Sequence, residues 1–492
     1  MSSESDGREF DFVARAKKEM IEEGFQPELP EDSLAQLAQI EAGKVAPETT
    51  DGVIHDLRKL LWSSIDNRTS RDLDQVEVAE RLANGNIRLM IGIADVDAVV
   101  PERSALDKHA FANAMTVYTG AVIFPMLPEP LSTNRTSLLQ DVDRLTMVTE
   151  IEISASGETV NSAFYRAWTR NYAQLAYEET GDWLDGKAHT PDRVSKVKGM
   201  EEQIRLQNDT AILIRQRRAK EGALEFETVE ALPIVENGKV VRVEVQQKNP
   251  ARLMIENFMI AANSAMAAYL ETKSIPSLQR VVRSPRRWDR MREIAAQFGV
   301  ALPEIPDPKP LSVFLAARKI ADPDGFPELS LSIVKLMGPG EYVLVRSKED
   351  HAGHFGLAAY SYTHSTAPNR RFADVAVQRS LKSALANLPH PYTTEELSAI
   401  ATRCTERENA ARVVERTMRK VTFAVWMRDR IGEHFEAVVT GKATKGTFVR
   451  VNHPPVEGKL IRGEEGFDVG DRLRVRLIHA DPETGHIDFE RD

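Results

Sequence analysis

The sequence predicts an α+β protein of several domains: a mixed sheet-and-helix body, a small helical module ahead of it and a β-barrel at the end. Three observations predict it. The chain has 492 residues, more than one ordinary core accommodates. Strand-like and helix-like segments interleave from about Val53 to Gly432. Over residues 433–492 the pattern changes to short alternating strands separated by Gly and Asn/Pro turns.

The elements follow in order. Residues 9–24 (EFDFVARAKKEMIEEG) have helical spacing, with Gly24 as the stop and Pro27 beyond it. Asp32-Ser33 can cap a second helix running to about Ala42. Residues 43–52, with Pro47, Thr49 and Thr50, read as a linker. Residues 1–52 are thus a small module, helix-turn-helix-like in outline and too short for a large core of its own. In the body, residues 53–432, Ile87 to Val100 (IRLMIGIADVDAVV) and Val148 to Ile153 read as strands. Ala251 to Leu270, Asp374 to Leu388 and Thr394 to Ile431 read as helices. The terminal strands are FEAVVTG from Phe435, GTFVRV from Gly446, GKL from Gly458, DRLRVRL from Asp471 and HIDF from His486. Five short strands in this length suit an OB barrel. There is no internal repeat.

Composition narrows the class. At 42% hydrophobic and 28% charged the chain reads as globular. Its longest apolar stretch, Phe258 to Leu270, is interrupted by polar residues and falls short of the ~18 apolar residues of a membrane span. The start, MSSESDGREFDF, is acidic and has no hydrophobic segment, unlike a secretory signal. The single cysteine, Cys404, excludes an intrachain disulfide and fits a reducing compartment, so the cytoplasm is the expected location. Cys404 itself reads as an ordinary helix residue. The net charge of −10 argues against coating nucleic acid with the whole surface, because phosphate binding needs Lys and Arg. It leaves room for a basic groove. The basic runs Arg215 to Arg218, Arg283 to Arg287 and Arg370-Arg371 are, on their own, solvated faces.

The most informative segment is SSIDNRTSRDLDQVEVAE from Ser63. It places Asp66, Asp72 and Asp74 close together between two strand-like segments. Crowded carboxylates repel one another unless a cation neutralises them. Oxygen ligands of this kind suit Mg²⁺ or Mn²⁺, which hold phosphate oxygens and an attacking water in hydrolytic sites. On composition alone, an acidic surface loop with capping aspartates is the stronger reading.

The surroundings reverse that order. SSIDNRTSRDLDQ is followed by IGIADVDAVVPERSALDKHA and TVYTGAVIFPMLPEPLSTNRTSLLQDVDRL. Then come EGALEFE at 221–227, ARLMIENFMIAAN at 251–263, HFGLAAYSYTHSTAPNRRFAD at 354–374 and AARVVER at 410–416. In this order, over roughly residues 53–432, the blocks resemble the catalytic domain of the ribonuclease II and ribonuclease R (RNB) family. The terminal strands resemble its S-one-type RNA-binding barrel, with few aromatic residues for a stacking face. Members usually carry two cold-shock-type barrels ahead of the catalytic domain. The residues before 53 are too few for one, so a variant lacking them is expected.

The resemblance implies a metal-dependent exoribonuclease that shortens single-stranded RNA from the 3′ end, including structured RNA with a 3′ overhang, and releases 5′-nucleoside monophosphates. Asp66, Asp72 and Asp74 match the first three carboxylates of the family's Asp-x5-Asp-x-Asp-Asp metal motif. Gln75 stands at the fourth. An amide oxygen can coordinate a hard cation but carries no charge and binds it more weakly. Two consequences stay open: an active enzyme with altered metal affinity, or a degenerate site that only binds RNA. A nuclease acting on DNA is a third reading, weakened by the matches at Tyr118 and Glu415 and by the barrel. Arg370 matches the arginine facing the scissile phosphate and, with Asp74, is the implied catalytic residue. The family usually reads Ser-Pro-Ile-Arg there, and Ala367 and Asn369 depart from it. Tyr118 and Phe226 match aromatic residues that clamp terminal bases. Glu256 and Glu415 match acidic contacts to the ends of the bound strand, Glu415 at a ribose hydroxyl. Arg371 is counted with the RNA-binding residues, and His364 is given no catalytic role.

Overall fold

A computed structural model describes residues 10–43, 53–227, 230–236, 238–246, 248–347, 350, 353–443, 446–452, 455–463, 465–467 and 470–492. Helix α1 (Phe12–Glu22) starts where the Asp11 side chain accepts the Ala14 N–H at 2.9 Å. It stops before Gly24, which takes a left-handed φ of 78°. Helix α2 (Glu31–Glu41) begins behind Pro30 without a side-chain cap. The expected cap, Asp32, instead lies in the first turn, where its charge suits the helix dipole. Residues 44–52 of the expected linker lie outside the described residues.

Seven strands and a helix surround the acidic segment. They are β1 (Ile54–Asp56), β2 (Trp62–Asp66), β3 (Gln75–Arg81), β4 (Ile87–Ala94), α3 (Ala105–Asn113), the short pair β5 (Val117–Tyr118) and β6 (Ile123–Phe124), and β7 (Asp143–Ile153). The 18-residue β8 (Thr159–Ala176) follows. The main sheet runs β1-β8-β2-β3-β4-β7, and β7 pairs again with β8, so the sheet curls back on itself. Strands β1 and β2 run parallel to β8, and the other pairings are antiparallel. β4 ends at Ala94 rather than running to Val100. The Asp95 carboxylate accepts the Ala98 N–H at 3.3 Å and starts a 3-10 turn over Val96–Ala98. A local side-chain bond of this kind competes with the sheet ladder.

Helices cover both faces. After β8 come α4 (Tyr177–Leu184), α5 (Asp192–Ser195), α6 (Met200–Glu221), the hairpin β9 (Glu230–Glu236) and β10 (Lys239–Gln246), and α7 (Pro250–Thr272). Then follow β11 (Ser277–Val281), α8 (Trp288–Gln297), α9 (Pro308–Ala321), α10 (Phe326–Met337), β12 (Glu341–Val345), α11 (Phe372–Leu385) and α12 (Thr394–Arg428). Ile65, Ala79, Leu89, Ile91 and Ile93 form a core with α6 and α7, centred on Phe258. Val76, Val78 and Met90 face the opposite way, into a core with α3 and α11. Strand alternation explains the division. The first helices join these layers: Phe12, Ala16 and Met20 pack with Ala411, Val414 and Met418 of α12, and Leu37 and Ile40 enter the α3/α11 core.

The last five strands close as expected into a barrel: β13 (His434–Ala443), β14 (Gly446–Asn452), β15 (Pro455–Arg462), β16 (Arg472–Asp481) and β17 (His486–Arg491), ordered β13-β14-β15-β17-β16. Val439, Val449, Leu460, Leu477 and Phe489 fill it, and Phe423, Ala424 and Met427 at the end of α12 extend its core. Among the described residues no helix is long and apolar enough to cross a membrane.

A buried ionic network fixes α11, which starts directly behind Arg370-Arg371. Asp95 accepts from Arg166 Nε at 2.9 Å and Lys382 Nζ at 3.0 Å. Asp97 accepts from Lys382 at 2.7 Å and Arg379 Nε at 2.5 Å, and Asp107 from Arg379 at 2.8 Å. The Asp95 side chain has no exposed surface. Asp95→Ala therefore leaves two buried cations short of a partner and should lower unfolding free energy by about 3–5 kcal/mol in urea denaturation. A loss below about 1 kcal/mol would show that the network does not hold α11 in place.

Candidate active site

β2 ends at Asp66 and β3 opens at Gln75, so the acidic residues occupy one strand connection and its two ends. Asp66 Oδ1 accepts the Asn67 N–H at 2.6 Å and the Ser70 hydroxyl at 2.8 Å, which turns the chain out of β2. The return is pinned by Ser137: its Oγ accepts the Leu73 N–H at 3.0 Å and donates to the Arg71 carbonyl at 2.6 Å. Leu138 N–H donates to Leu73 O at 3.0 Å, and Ala94 N–H to Asp74 O at 2.9 Å. The outgoing arm of the loop is thus held by the Asp66 carboxylate and the returning arm by backbone and hydroxyl partners.

The turn ahead of α11 meets it. Arg370 Nε donates to Asp74 Oδ2 at 2.7 Å, and the Asn369 N–H donates to Asp74 Oδ1 at 3.0 Å. Asn369 is buried, and its Oδ1 accepts the Thr136 hydroxyl at 2.5 Å, so this departure from the family pattern is a polar anchor. Burial pushes the Asp74 pKa up to about 6, against the opposing pull of Arg370. Burial likewise raises Asp72, again opposed by Arg370 and reinforced by Asp66. Burial alone would lower Arg370; Asp74, with Tyr118, Asp66 and Asp72, more than offsets it and keeps the guanidinium charged. Asp74 is fully buried whereas 34% of the Arg370 side chain is exposed, so the guanidinium is the part of the pair a ligand can reach.

Two predicted RNA contacts join this cluster. The Tyr118 hydroxyl stands 3.5 Å from Asp72 Oδ2, and its backbone N–H donates to Glu415 Oε1 of α12 at 3.1 Å. The other two lie together elsewhere. Phe226 and Glu256 line a cavity of about 160 Å³ with Arg215, Arg218, Lys248 and Lys319. Helix α7 ties the two groups: Arg252 Nη2 bonds Asn67 Oδ1 at 3.1 Å, and Glu256 lies one turn, about 6 Å, further along.

Arg371, expected among the RNA-binding residues, bonds the buried Asp374 carboxylate through Nε and Nη2 at 2.8 Å each, as Arg370 bonds Asp74, and 28% of its side chain is exposed. It lines a cavity of about 180 Å³ with Tyr342, His364, Cys404 and Glu408. His364 bonds the Tyr342 hydroxyl at 2.7 Å, and burial, aided by Arg371 and Arg280, pushes its pKa well down. Cys404 is a buried residue of α12, as expected.

Sequence reasoning passed over Tyr177, Arg252 and Glu77. Arg252 stacks over the Tyr177 ring at 4.4 Å, and Asp66 and Glu77 both act electrostatically on that phenol. Glu77 is fully buried in β3, and neither of its carboxylate oxygens has a hydrogen-bond partner. The available signal was the alternation QVEV, which sets a carboxylate at a buried strand position. Three aspartates surround one guanidinium here, while burial, with Asp66, pushes the Glu77 pKa well up. Hard oxygen donors with excess negative charge suit Mg²⁺ or Mn²⁺; Mg²⁺ is ordinarily held by one or two carboxylates with waters and phosphate oxygens. Among the described residues no three His, Cys, Asp or Glu side chains are grouped as ligands of one ion. The fit is one of donor chemistry and charge, not of a closed cage. Gln75 is buried at the start of β3 beside these groups.

Because Ser137 holds the returning arm of the loop at two points, Ser137→Ala should lower stability by about 1–3 kcal/mol. Amide hydrogen exchange over residues 67–74 should quicken with it. Unchanged exchange there would show that the loop is held by other contacts.

Comparison with known proteins agrees with this arrangement. The RNB domain model matches residues 54–387, and the model of the RNase II-type exonuclease C-terminal S1 domain matches 433–492. Ribonuclease R 1 of Lactococcus lactis is 29% identical over 98% of this chain and 59% of that protein. Ribonuclease R of Thermotoga maritima is 31% identical over 88% of this chain and 64% of that protein. The chain therefore spans about three-fifths of the length of these relatives. The apo structure of Mycoplasma genitalium RNase R superposes with a TM-score of 0.86 at 21% identity, over 98% of this chain and 78% of that one, a likeness of fold. By its RNB domain, matched over residues 54–387, this chain belongs to the RNB family.

Proposed function

We propose that this chain is a divalent-metal-dependent 3′→5′ exoribonuclease that hydrolyses single-stranded RNA to 5′-nucleoside monophosphates. The observation that carries this reading is the Asp74–Arg370 pair, 2.7 Å long, with Asp66 and Asp72 around the same guanidinium. Arg370 keeps its charge and is oriented by Asp74 before any substrate arrives. A pre-set planar cation suits the negative charge that builds on a phosphate in transfer. Asp66, Asp72 and Asp74, with Gln75, would hold Mg²⁺ or Mn²⁺. A cation bound there supplies an acidified water and neutralises phosphate oxygens.

The other residues position the strand. Tyr118 is 40% exposed, enough for its ring to stack on a base. Glu415, which accepts the Tyr118 N–H, would accept a ribose 2′-hydroxyl, a contact DNA lacks. Phe226 and Glu256 would take a neighbouring nucleotide in their cavity, where Arg215, Arg218, Lys248 and Lys319 offset phosphate charge. The terminal barrel would hold the strand upstream, including the 3′ overhang of a structured RNA. The single cysteine fits a cytoplasmic enzyme. Gln75 favours one second reading, an RNA-binding protein with impaired catalysis, because it removes a charge from the donor set.

The test is purified protein with 5′-labelled oligoribonucleotide and oligodeoxyribonucleotide, in Mg²⁺, in Mn²⁺ and in chelator. Metal-dependent shortening of RNA alone is expected. Retention of RNA without shortening would favour the second reading, and equal shortening of DNA would overturn the RNA preference. Asp74→Asn should reduce hydrolysis at least about a hundredfold while RNA affinity, followed by fluorescence anisotropy, changes little. Substantial residual turnover would remove Asp74 from the chemistry.

A further inference from the structure

The cavity lined by Arg371, His364, Tyr342 and Cys404 takes no part in the proposed hydrolysis. It lies behind the arginine turn. Residues 114–116 run antiparallel to residues 370–372: the Thr116 N–H donates to Arg370 O at 2.9 Å, and the Phe372 N–H to Ala114 O at 2.8 Å. Neighbouring side chains of an extended segment point to opposite faces. Arg370 accordingly bonds Asp74 of the acidic loop, whereas Arg371 bonds Asp374 and lines the cavity with its bridge partner Met115.

Two donors in this cavity are unused. Asp374 takes Nε and Nη2 of Arg371, which leaves Nη1 without a hydrogen bond among the described residues. The Tyr342 hydroxyl has one partner among them, His364 Nδ1 at 2.7 Å. Burial pushes the pKa of that phenol up and, aided by Arg371 and Arg280, that of the imidazole well down, so the phenol keeps its proton and the ring is neutral. The phenol therefore donates to Nδ1, and the ring's own hydrogen stands on Nε2. The acceptor in the wall, Glu408, is already taken: Oε1 accepts from Arg280 Nη2 at 2.7 Å and Arg412 Nη2 at 2.5 Å, and Arg280 Nη1 lies 2.7 Å from Oε2. The guanidinium groups of Arg280, Arg371 and Arg412 thus stand against the carboxylates of Asp374 and Glu408, a surplus of positive charge. Free donors in such surroundings suit an oxyanion.

We infer that this cavity is an anion site, separate from the acidic loop, that takes a phosphate group on Arg371 Nη1 and His364 Nε2. The group is that of inorganic phosphate or of a 5′-nucleoside monophosphate, which share the same oxyanion. The exposed 28% of the Arg371 side chain gives it access, and the apolar wall of Met115, Ala373 and Cys404 limits competition from water.

Isothermal titration calorimetry reads the site on the full chain, freed of metal by chelator and without RNA, with inorganic phosphate, uridine 5′-monophosphate and uridine as probes. The two phosphates should bind, and uridine should bind at least about tenfold more weakly than its monophosphate. A monophosphate tighter than phosphate assigns the mononucleotide; equal affinities assign the free anion. His364→Phe keeps the ring and removes the donor. Cys404→Leu fills space in the cavity and leaves every polar group in place. Each should weaken the binding at least about tenfold, with folding checked by circular dichroism. Arg370→Gln, on the other face of the turn, should change it little. Binding lost in Arg370→Gln and kept in both cavity variants would move the anion to the acidic loop and overturn the inference. Absence of binding, or uridine binding as tightly as its monophosphate, would overturn it too. The titration uses neither metal nor RNA, so this inference and the nuclease reading fail separately. Phosphate binding without RNA hydrolysis sinks only the nuclease, whereas RNA hydrolysis without phosphate binding in the cavity sinks only this inference.

Discussion

The Asp74 carboxylate has no exposed surface, and that single constraint organises the molecule. A charge taken out of water is strongly unfavourable unless a counter-charge and hydrogen bonds meet it in good geometry. Here they come from Arg370 and the Asn369 N–H, nearly three hundred residues away along the chain. The two segments can meet only if the sheet carrying β3 and the turn ahead of α11 are both held rigidly. The Ser137 bonds hold the first, and the Asp95–Lys382–Asp97–Arg379 network holds the second. Both supports are polar and buried, so both demand the same geometric accuracy as the pair they serve.

Around that contact the fold distributes its working surfaces along two long helices. Helix α7 carries Arg252 onto the acidic loop and Glu256 into the cavity of Phe226. Helix α12 spans 35 residues, roughly 50 Å, and reaches from the α3 side of the body to the core of the barrel. It presents Glu415 to Tyr118 on the way. The N-terminal helices brace it through Phe12, Ala16 and Met20. Tyr118 and the barrel are therefore joined through one helix.

The parts legible in the sequence share a property: their cause is local. Helix α7 follows from the helical spacing of Ala251 to Leu270, and the structure adds its cap, the Asn249 side chain accepting the Arg252 N–H at 2.9 Å. The barrel strands alternate and are cut by turn residues, and all five formed. Errors arose where a side chain redirected the backbone. The run from Ile87 to Val100 looks continuous in hydrophobicity, yet Asp95 captures the Ala98 N–H and ends the strand. Asp32 resembles a cap, but Pro30 already sets the start of α2. Arg371 stands beside Arg370 in the chain, and only the fold reveals that its partner is Asp374.

By itself the sequence determined the identity of the chemical groups, the periodic helices and the barrel, because propensity and alternation act over a few neighbouring residues. It also supplied the short acidic connection whole, since Asp66, Asp72 and Asp74 are close in the chain before they are close in space. Only the tertiary structure decided which groups are charged, paired or left unmet. Asp74 gained its guanidinium, Arg371 was paired with Asp374 and the Glu77 carboxyl was buried without a hydrogen-bond partner. Those outcomes depend on desolvation and on contacts between distant segments, quantities that no short stretch of sequence contains.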